Sequence, residues 1–380
     1  MGPLEGIRII EFAGIGPGPF CGMLLADMGA DVLRIDRPYG SNLGVETPPK
    51  LDLLNRNKWS VAIDLKSPRG IQTVLRLVAE ADILIEGFRP GVTERLGLGP
   101  EDCWRVNPSL IYGRMTGWGQ DGPLSQAAGH DLNYIALTGA LHAIGRKGQP
   151  PSVPLNLIGD LGGGALYLAM GVLAALIEAR ASGKGQVVDA TMIDGVANLM
   201  TMFFSWKQMD AWTNERGNNL VDSGAPFYDV YETKDGLYIS VAAVEKRFYD
   251  KLLELIGLKD ERLPEQNDRS GWDELKTRFS QVFKTKTRDE WCSIMEGSDA
   301  CFAPVLDMEE CLKHHHVVAR KMFVEIEGVV NPAPAPRFGR TACEFRRLPP
   351  SPAQDTMEAL QDWGFSEAEI RALKADSVIV

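Results

Sequence analysis

The feature that most constrains the fold is the alternation, over the N-terminal half of the chain, of short β-branched runs with helical segments. The runs predict strands at residues 6–12, 31–36, 60–65, 82–86, 110–115 and 186–191. Helices are predicted between several of these strands, for example at about residues 68–81, where Pro68 occupies the first turn. Strands that alternate with helices in this way predict an α/β fold, in which helices cover the faces of a parallel sheet.

The pattern changes after about residue 211, and a smaller second domain is predicted there. Asp235-Gly236 stands between two β-rich runs, residues 229–233 and 237–242, and this dipeptide is typical of a hairpin turn. The Pro-rich residues 329–337 predict an extended linker. Further helices are predicted at residues 245–256, 288–295, 355–363 and 366–374, and the last begins with a capping-box pattern of Ser366 and Glu369.

Composition and charge exclude several classes of protein. The 380 residues include 40 basic and 51 acidic side chains, a formal net charge of −11, so no nucleic-acid partner is expected. The longest apolar runs, such as residues 166–177, are shorter than the ~20 residues that span a bilayer, and no secretory signal is visible. The six cysteines include no C-x-x-C pair, which indicates reduced thiols and no zinc framework. We therefore expect a cytoplasmic protein without a membrane partner.

A Gly-rich turn follows the first predicted strand. Gly14, Gly16 and Gly18 are similar to a dinucleotide fingerprint, and Asp36 ends the next strand, where a ribose-binding acid would stand. The prolines at positions 17 and 19 remove backbone donors that a pyrophosphate would need. A tight strand-to-helix turn is the favoured interpretation, and NAD-type nucleotide binding is the alternative.

Two short segments contain the candidate acid/base residues. Neither a core pattern nor a metal-ligand spacing accounts for His130, so catalysis is one interpretation of it. The neighbouring Asp131 is interpreted as the N-cap of the helix that follows. Asp160 precedes three glycines and a long apolar helix, where backbone N–H groups could hold an oxyanion. An N-cap followed by glycines for close helix packing is the alternative for Asp160.

The tract His314-His315-His316 is similar to a metal-binding run. Consecutive residues of a helix point ~100° apart, however, and cannot converge on one ion. The tract is therefore predicted to be a solvated face, and no metal site is expected.

Six motifs carry a resemblance to a known family: GFRPGV at 87–92, RMTGWGQ at 114–120, GHDLNY at 129–134, PLNLIGD at 154–160, GKGQVVD at 183–189 and SGAPFY at 223–228. Through them the chain resembles the family III coenzyme A transferases, the CaiB/BaiF superfamily, from its first strand to about residue 305. The resemblance implies a large domain with a Rossmann-like parallel sheet and a smaller α+β domain. It also implies a homodimer in which two chains thread through each other as interlocked rings.

The same resemblance implies domain boundaries and substrate contacts. A large α/β CoA-binding domain would comprise residues 1–210 and be completed by the C-terminal tail 326–380, with linkers and the small α+β domain at 211–325. The implied substrate is an acyl-CoA thioester, with no cofactor beyond its CoA moiety. The implied CoA contacts are Arg37, Ile63, Asp64, Leu65, Lys66, Gly87, Phe88, Arg89, Arg95, Gly129, Asp131 and Tyr134.

Racemases within this family use a histidine and an aspartate as acid/base groups, which match His130 and Asp160. A glutamate that supports the histidine matches Glu245, although Ala243 and Lys246 beside it depart from the family's pattern. The resemblance thus implies racemisation of 2-methylacyl-CoA thioesters by proton removal and re-addition at Cα through an enolate. The alternative is a CoA transferase that moves CoA between carboxylic acids with Asp160 as nucleophile. A non-enzymatic acyl-CoA-binding relative is the third interpretation.

Overall fold

The computed structural model describes residues 2–39 and 44–380, which form two compact units. The first unit comprises residues 1–138, 155–199 and 321–380, and the second comprises 139–154 and 200–320. The strands are β1 (Arg8–Phe12), β2 (Asp31–Asp36), β3 (Trp59–Ala62), β4 (Ile83–Glu86), β5 (Ile111–Thr116), β6 (Val187–Thr191), β7 (Tyr228–Glu232), β8 (Tyr238–Ala242), β9 (Phe302–Pro304), β10 (Phe323–Ile326) and β11 (Val329–Pro332).

The α-helices follow the same chain order. They are α1 (Pro17–Asp27), α2 (Pro68–Val78), α3 (Val92–Leu96), α4 (Pro100–Val106), α5 (Asp131–Leu137), α6 (Ala140–Ala143), α7 (Leu166–Ser182), α8 (Met192–Leu199), α9 (Thr201–Gln208), α10 (Lys246–Leu255), α11 (Trp272–Phe283), α12 (Arg288–Met295), α13 (Met308–Cys311), α14 (His315–Ala319), α15 (Thr356–Asp362) and α16 (Glu367–Ala375). A π-helical segment, Leu157–Ala165, leads directly into α7.

The first unit contains a six-stranded parallel sheet in the order β3-β2-β1-β4-β5-β6. The predicted α/β fold with a Rossmann-like parallel sheet is therefore confirmed. The chain extends the sheet outward from β1 to β3 and then returns to place β4 on the other side of β1. This reversal creates a crevice beyond the carboxyl ends of β1 and β4, the position where open α/β sheets bind ligands.

Helices cover both faces of this sheet, and the central strands are therefore buried on both sides. Ile10 of β1 packs into a core with Leu77 of α2 and Leu373 of α16. The preceding Ile9 belongs to the opposite core, with Leu25 of α1 and Val172 of α7. The C-terminal helices α15 and α16 thus complete the first unit, and α16 begins with the predicted capping box of Ser366 and Glu369.

The π-helical segment and α7 form one continuous helix that is longer than the apolar run read from the sequence. Leu157–Ser182 has 26 residues and contains an 18-residue window with a mean hydropathy of 1.7, so length and composition alone would allow it to cross a membrane. The expectation that all apolar segments are too short for a bilayer is wrong for this helix. A core helix of a globular protein meets the same criterion, and one side of α7, including Leu168 and Val172, is buried against the sheet.

The second unit contains a three-stranded sheet in the order β7-β8-β9, with antiparallel pairing throughout. Asp235 and Gly236 form the turn of the predicted hairpin, and Gly236 has a φ of 77° there. Aromatic side chains dominate its core: Phe227, Tyr231, Phe279, Phe283 and Trp291. These large apolar surfaces give the second unit a core of its own.

Several segments differ from the sequence prediction. Residues 139–154 and 200–210, which we assigned to the large domain, pack with the second unit, and residues 321–325, which we assigned to the small domain, pack with the first. The Pro-rich stretch 329–337 begins as strand β11, which pairs with β10 through a turn at Glu327 and Gly328, both with positive φ. The stretch is therefore partly a hairpin and not an extended linker. Its prolines misled the prediction because an edge strand tolerates proline, and Pro332 lies at the end of this two-stranded ladder.

Candidate active site

A cavity of about 550 Å³ lies in the first unit, beyond the carboxyl ends of β1, β4 and β5. Its walls come from the turns that follow these strands, residues 13–19, 87–90 and 117–118, together with residues 125–130. The cavity therefore occupies the crevice at which the strand order reverses. His130 and Asp160 both line this cavity.

Asp160 is held in place by contacts from three segments of the first unit. Its backbone N–H donates a hydrogen bond of 2.7 Å to Asp131 Oδ2, and its Oδ2 accepts one of 3.2 Å from Asn156 Nδ2. Gly16 approaches from the turn after β1 with a φ of 66°, and a Cβ there would lie 3.3 Å from Asp160 Oδ2. Glycine at position 16 thus permits both the left-handed turn and the close approach of the carboxylate.

Burial raises the pKa of Asp160 above its ordinary value, and the negative charge of Asp131 raises the pKa further. The hydrogen bond from Asn156 and the nearby His130 act in the opposite direction. Because burial disfavours the charged form, this carboxyl keeps a proton to a higher pH than a solvated aspartate would. Such a carboxyl is suited to exchanging a proton with a substrate.

Two sequence interpretations around Asp160 are wrong. Asp131 is not an N-cap: it is the first residue of α5, and its buried carboxylate supports the Asp160 backbone. Asp131 is also absent from the described cavity wall, in contrast to its predicted contact with CoA. The π-helical segment begins at Leu157, before Asp160, so the three glycines lie inside a helix and do not form an oxyanion nest at its start. Gly163 instead packs against α8, where a Cβ would lie 2.7 Å from Val196.

His130 occupies the N-cap position of α5 with an extended backbone. Its backbone N–H donates to Asn133 Oδ1 at 3.0 Å, and its side chain is exposed on the cavity wall. The extended backbone turns the imidazole out of the helix, which explains why no helical periodicity accounted for this residue. The structure thus brings His130 and Asp160 to one cavity from two different helices.

Tyr134 and Trp118 stiffen the loop that carries His130. The Tyr134 hydroxyl donates to the Gly129 carbonyl, and the Tyr134 ring meets Trp118 edge-on with 4.8 Å between ring centroids. Burial raises the pKa of Tyr134 to about 12, so its hydroxyl stays a donor at neutral pH. The indole nitrogen of Trp118 is buried and has no hydrogen-bond partner among the described residues.

The structure brings part of the predicted CoA-contact set to the cavity wall, namely Arg37, Gly87, Phe88, Arg89, Gly129 and Tyr134. Arg37 follows β2 and Arg89 follows β4, and both side chains are exposed, so they offer positive charge at the mouth of the cavity. Two exposed guanidinium groups at strand ends are suited to a phosphate-bearing ligand.

Other predicted contacts lie away from this wall. Ile63 is buried in the core next to the C-terminus and pairs with Ile379, so its side chain is not available to a ligand. Asp64, Leu65 and Lys66 follow β3, where the Asp64 carboxylate accepts a hydrogen bond from the Lys66 backbone. Arg95 lies in α3 with its guanidinium beside Gly91. For residues 63–66 we attribute the difference to position, because β3 is an edge strand, two strands from the crevice.

Glu245 belongs to the second unit, where it occupies the N-cap position of α10 and is exposed. Its backbone carbonyl accepts hydrogen bonds from the Phe248 and Tyr249 N–H groups at the start of that helix. Support of the catalytic histidine by Glu245 stays a prediction.

The sequence analysis missed three residues of the cavity. Gly16 was treated as a turn residue, yet it contacts Asp160. Asn156 and Trp118 lie inside motifs that we quoted, but only the folded chain brings Asn156 to the carboxylate and buries the Trp118 indole. The Gly-rich turn after the first strand was the available signal, since such turns line the ligand crevice of open α/β sheets.

Comparisons with known proteins agree with this architecture. The family model described as CoA-transferase family III matches residues 4–356. The chain is 45% identical to the mouse protein named alpha-methylacyl-CoA racemase, over 99% of this chain and 97% of that protein, and the human protein of the same name gives the same figures. The crystal structure of a CAIB/BAIF family protein from Brucella suis superposes with a TM-score of 0.82 at 24% identity, covering 95% of this chain and 99% of that one, and thus has the same fold. The chain belongs to CoA-transferase family III.

Proposed function

We propose that this protein is a 2-methylacyl-CoA racemase, an isomerase that interconverts (R)- and (S)-2-methylacyl-CoA thioesters. The observation that carries the proposal is the placement of one imidazole, His130, and one carboxyl with a raised pKa, Asp160, on the wall of a single cavity. The name printed for the mouse and human relatives, which are 45% identical over nearly the whole chain, supports the same activity.

The reaction requires two acid/base groups that act on opposite faces of a planar enolate. One group removes the α-proton as a base, the electrons of the C–H bond move into the enolate, and the other group returns a proton to the opposite face. The two groups must therefore begin in opposite protonation states. An unprotonated imidazole at His130 and a protonated carboxyl at Asp160 satisfy this condition for one direction, and the reverse states serve the other.

The raised pKa of Asp160 helps in both directions. An aspartate of ordinary pKa is too acidic to hold a proton near neutral pH, whereas burial raises the pKa of Asp160 toward neutral pH. The fixed backbone of Asp160 also keeps its carboxyl in position during proton transfer.

Substrate binding uses the mouth of the same cavity. Arg37 and Arg89 supply positive charge for the CoA phosphates in a protein of net charge −11. The proposed chemistry, proton removal and return, uses no cofactor beyond the CoA moiety of the substrate.

The test is incubation of a single 2-methylacyl-CoA epimer with the protein in deuterated water. We expect loss of chiral purity together with incorporation of deuterium at the α-carbon. A transferase using Asp160 as nucleophile would instead form a new thioester when a free carboxylic acid is added. Formation of that thioester without α-deuterium would reject the racemase in favour of the transferase, and CoA binding without either reaction would favour a non-enzymatic relative.

We also propose that the protein is a cytoplasmic homodimer. The first unit exposes several large apolar side chains along the Leu157–Ser182 helix and the neighbouring α5: Leu137, Leu157, Leu166, Met170 and Ile177. Exposed apolar surface of this kind is typical of an interface between subunits. Light scattering after size exclusion without detergent should give twice the chain mass. A monomer, or a protein recovered only in detergent, would contradict the proposal.

A further inference from the structure

The second unit contains a cluster of two histidines and a glutamate that the proposed reaction does not use. Glu296 caps the C-terminus of α12, and His314 is the N-cap of α14, with His315 as the first residue of that helix. Because His314 has an extended backbone (φ −62°, ψ 129°), its ring does not follow the helical spacing. The rings of His314 and His315 lie 4.6 Å apart at an interplanar angle of 31°. The prediction that these histidines fan apart on a solvated face is therefore wrong for this pair.

Both imidazoles are directed toward one carboxylate oxygen. Glu296 Oε1 lies 2.8 Å from His314 Nε2 and 3.7 Å from His315 Nε2. The three ligand atoms all lie within 4.8 Å of one another. His314 Nε2 is buried, and its approach to Glu296 lacks hydrogen-bond geometry, so this nitrogen has no hydrogen-bond partner among the described residues.

We propose that Glu296, His314 and His315 form a binding site for a divalent transition-metal cation of the zinc class. Two neutral imidazole nitrogens and one carboxylate oxygen are a donor set that zinc prefers, and a water molecule can take a fourth position. Tetrahedral zinc with ligands at ~2.1 Å places those ligands about 3.4 Å apart. The two nitrogen–oxygen distances, 2.8 and 3.7 Å, bracket this separation.

The cluster can adapt to the ion with little movement. The His315 side chain is 75% exposed, so its ring can shift toward the other two ligands, whereas His314 is only 19% exposed and is held by its surroundings. A bound ion would connect the end of α12 to the start of α14 across 18 residues of chain, from 296 to 314. Such a connection stabilises the folded second unit by favouring the state that holds all three ligands.

The experiment uses the full chain, dialysed against EDTA and then into chelator-free buffer at neutral pH. Titration calorimetry with ZnCl₂ should give one ion per chain, and the same addition should raise the melting temperature. Glu296→Gln and His315→Ala should each weaken binding at least about tenfold and abolish the thermal shift. Neither side chain lies in the apolar core, and circular dichroism of the metal-free variants should match that of the wild type.

The matched control is His316→Ala, which removes the exposed third histidine of the same tract and should leave zinc affinity unchanged. Equal weakening by His316→Ala and His315→Ala would mean that zinc binds the tract as a flexible surface run, and would overturn the proposed site. Absence of stoichiometric binding by the wild type, or unchanged affinity in Glu296→Gln, would overturn it as well. None of these outcomes depends on the racemase activity.

Discussion

The two walls that carry the acid/base candidates are built differently. On the Asp160 wall, Asp131 holds the backbone of the residue, Asn156 contacts its carboxylate and Gly16 closes against it. On the His130 wall, the backbone N–H donates to Asn133 Oδ1, and the imidazole is exposed. One acid/base group is therefore positioned and tuned within the first unit, and the other is only placed at the start of a helix.

The contacts on the Asp160 wall determine the protonation behaviour of its carboxyl. The pKa of Asp160 is raised by burial and modified by named neighbours, so substitutions of those neighbours should shift it in known directions. The exposed imidazole is open to orientation by substrate or by a residue outside this wall, because catalytic hydrogen bonds often form only in the substrate complex. The predicted role of Glu245 is of this kind.

The largest effect is expected from removing either acid/base group. Asp160→Asn and His130→Gln should each lower the rate of epimerisation by about 10²–10⁴, because one face of the enolate then lacks its proton donor or acceptor. The double variant should be scarcely slower than either single variant, since the two groups act as one unit. Loss of chiral purity of one epimer measures the rate, with melting temperature as the control for folding.

The same pair of variants tests the comparison itself. If His130→Gln keeps more than about a fifth of the wild-type rate while Asp160→Asn is inactive, the histidine wall is not catalytic. That result would mean that a group other than His130 exchanges the proton on that face of the enolate.

A smaller loss of epimerisation rate is expected from Asp131→Asn. This substitution keeps an oxygen that can accept the Asp160 N–H, but it removes a negative charge. Because the charge of Asp131 raises the pKa of Asp160, its removal should lower that pKa and move the Asp160 limb of the pH–rate profile to lower pH. We expect the maximal rate to fall about tenfold, because a neutral amide oxygen accepts the Asp160 N–H more weakly than a carboxylate oxygen and positions the residue less firmly. Asp121→Asn in the exposed loop is the matched control. A tenfold loss without movement of the limb would mean that Asp131 only supports the backbone.

Asn156→Ala should move the same limb in the opposite direction. The hydrogen bond from Asn156 Nδ2 favours the charged form of Asp160, so its loss should raise the pKa and move the limb to higher pH. Because the variant loses one hydrogen bond to a charged group, we expect the rate near neutral pH to change by about threefold or more. Shifts of the same sign in Asn156→Ala and Asp131→Asn would show that the limb does not report on Asp160.

Much of the fold followed from local sequence patterns. The six parallel strands were predicted within a few residues, because β-branched runs that alternate with helical runs indicate strands from local sequence alone. The Asp235-Gly236 hairpin and the Ser366/Glu369 cap were predictable for the same reason. The π-helical start at Leu157 was not, because a π-helix has no hydrophobic period that differs clearly from an α-helix over nine residues.

The candidate site was predictable to the extent that resemblance identified its residues. His130 and Asp160 were identified together, but the role of Asp131 was not, since it depends on a contact between residues 29 positions apart. The histidine pair at 314 and 315 shows the same limit. His314 has an extended backbone at the helix boundary, and its ring therefore does not point in the direction expected from helical spacing. Side-chain direction at helix ends is set by capping geometry, which the sequence indicates only approximately.

The smallest effect on catalysis is expected from substitutions at the cavity mouth, away from the two acid/base candidates. Arg37→Ala and Arg89→Ala should each raise KM by up to about fivefold and leave kcat unchanged, because exposed charge pairs contribute roughly 1 kcal/mol or less and act equally on substrate and transition state. Added salt should reduce the difference from the wild type, since it screens exposed charges. Arg95→Ala, which removes an exposed cation outside the described wall, is the comparison variant and should change KM less. An equal rise in KM for Arg95→Ala would extend the CoA site beyond this wall along α3, and a fall in kcat for Arg89→Ala would place that guanidinium among the groups that stabilise the enolate.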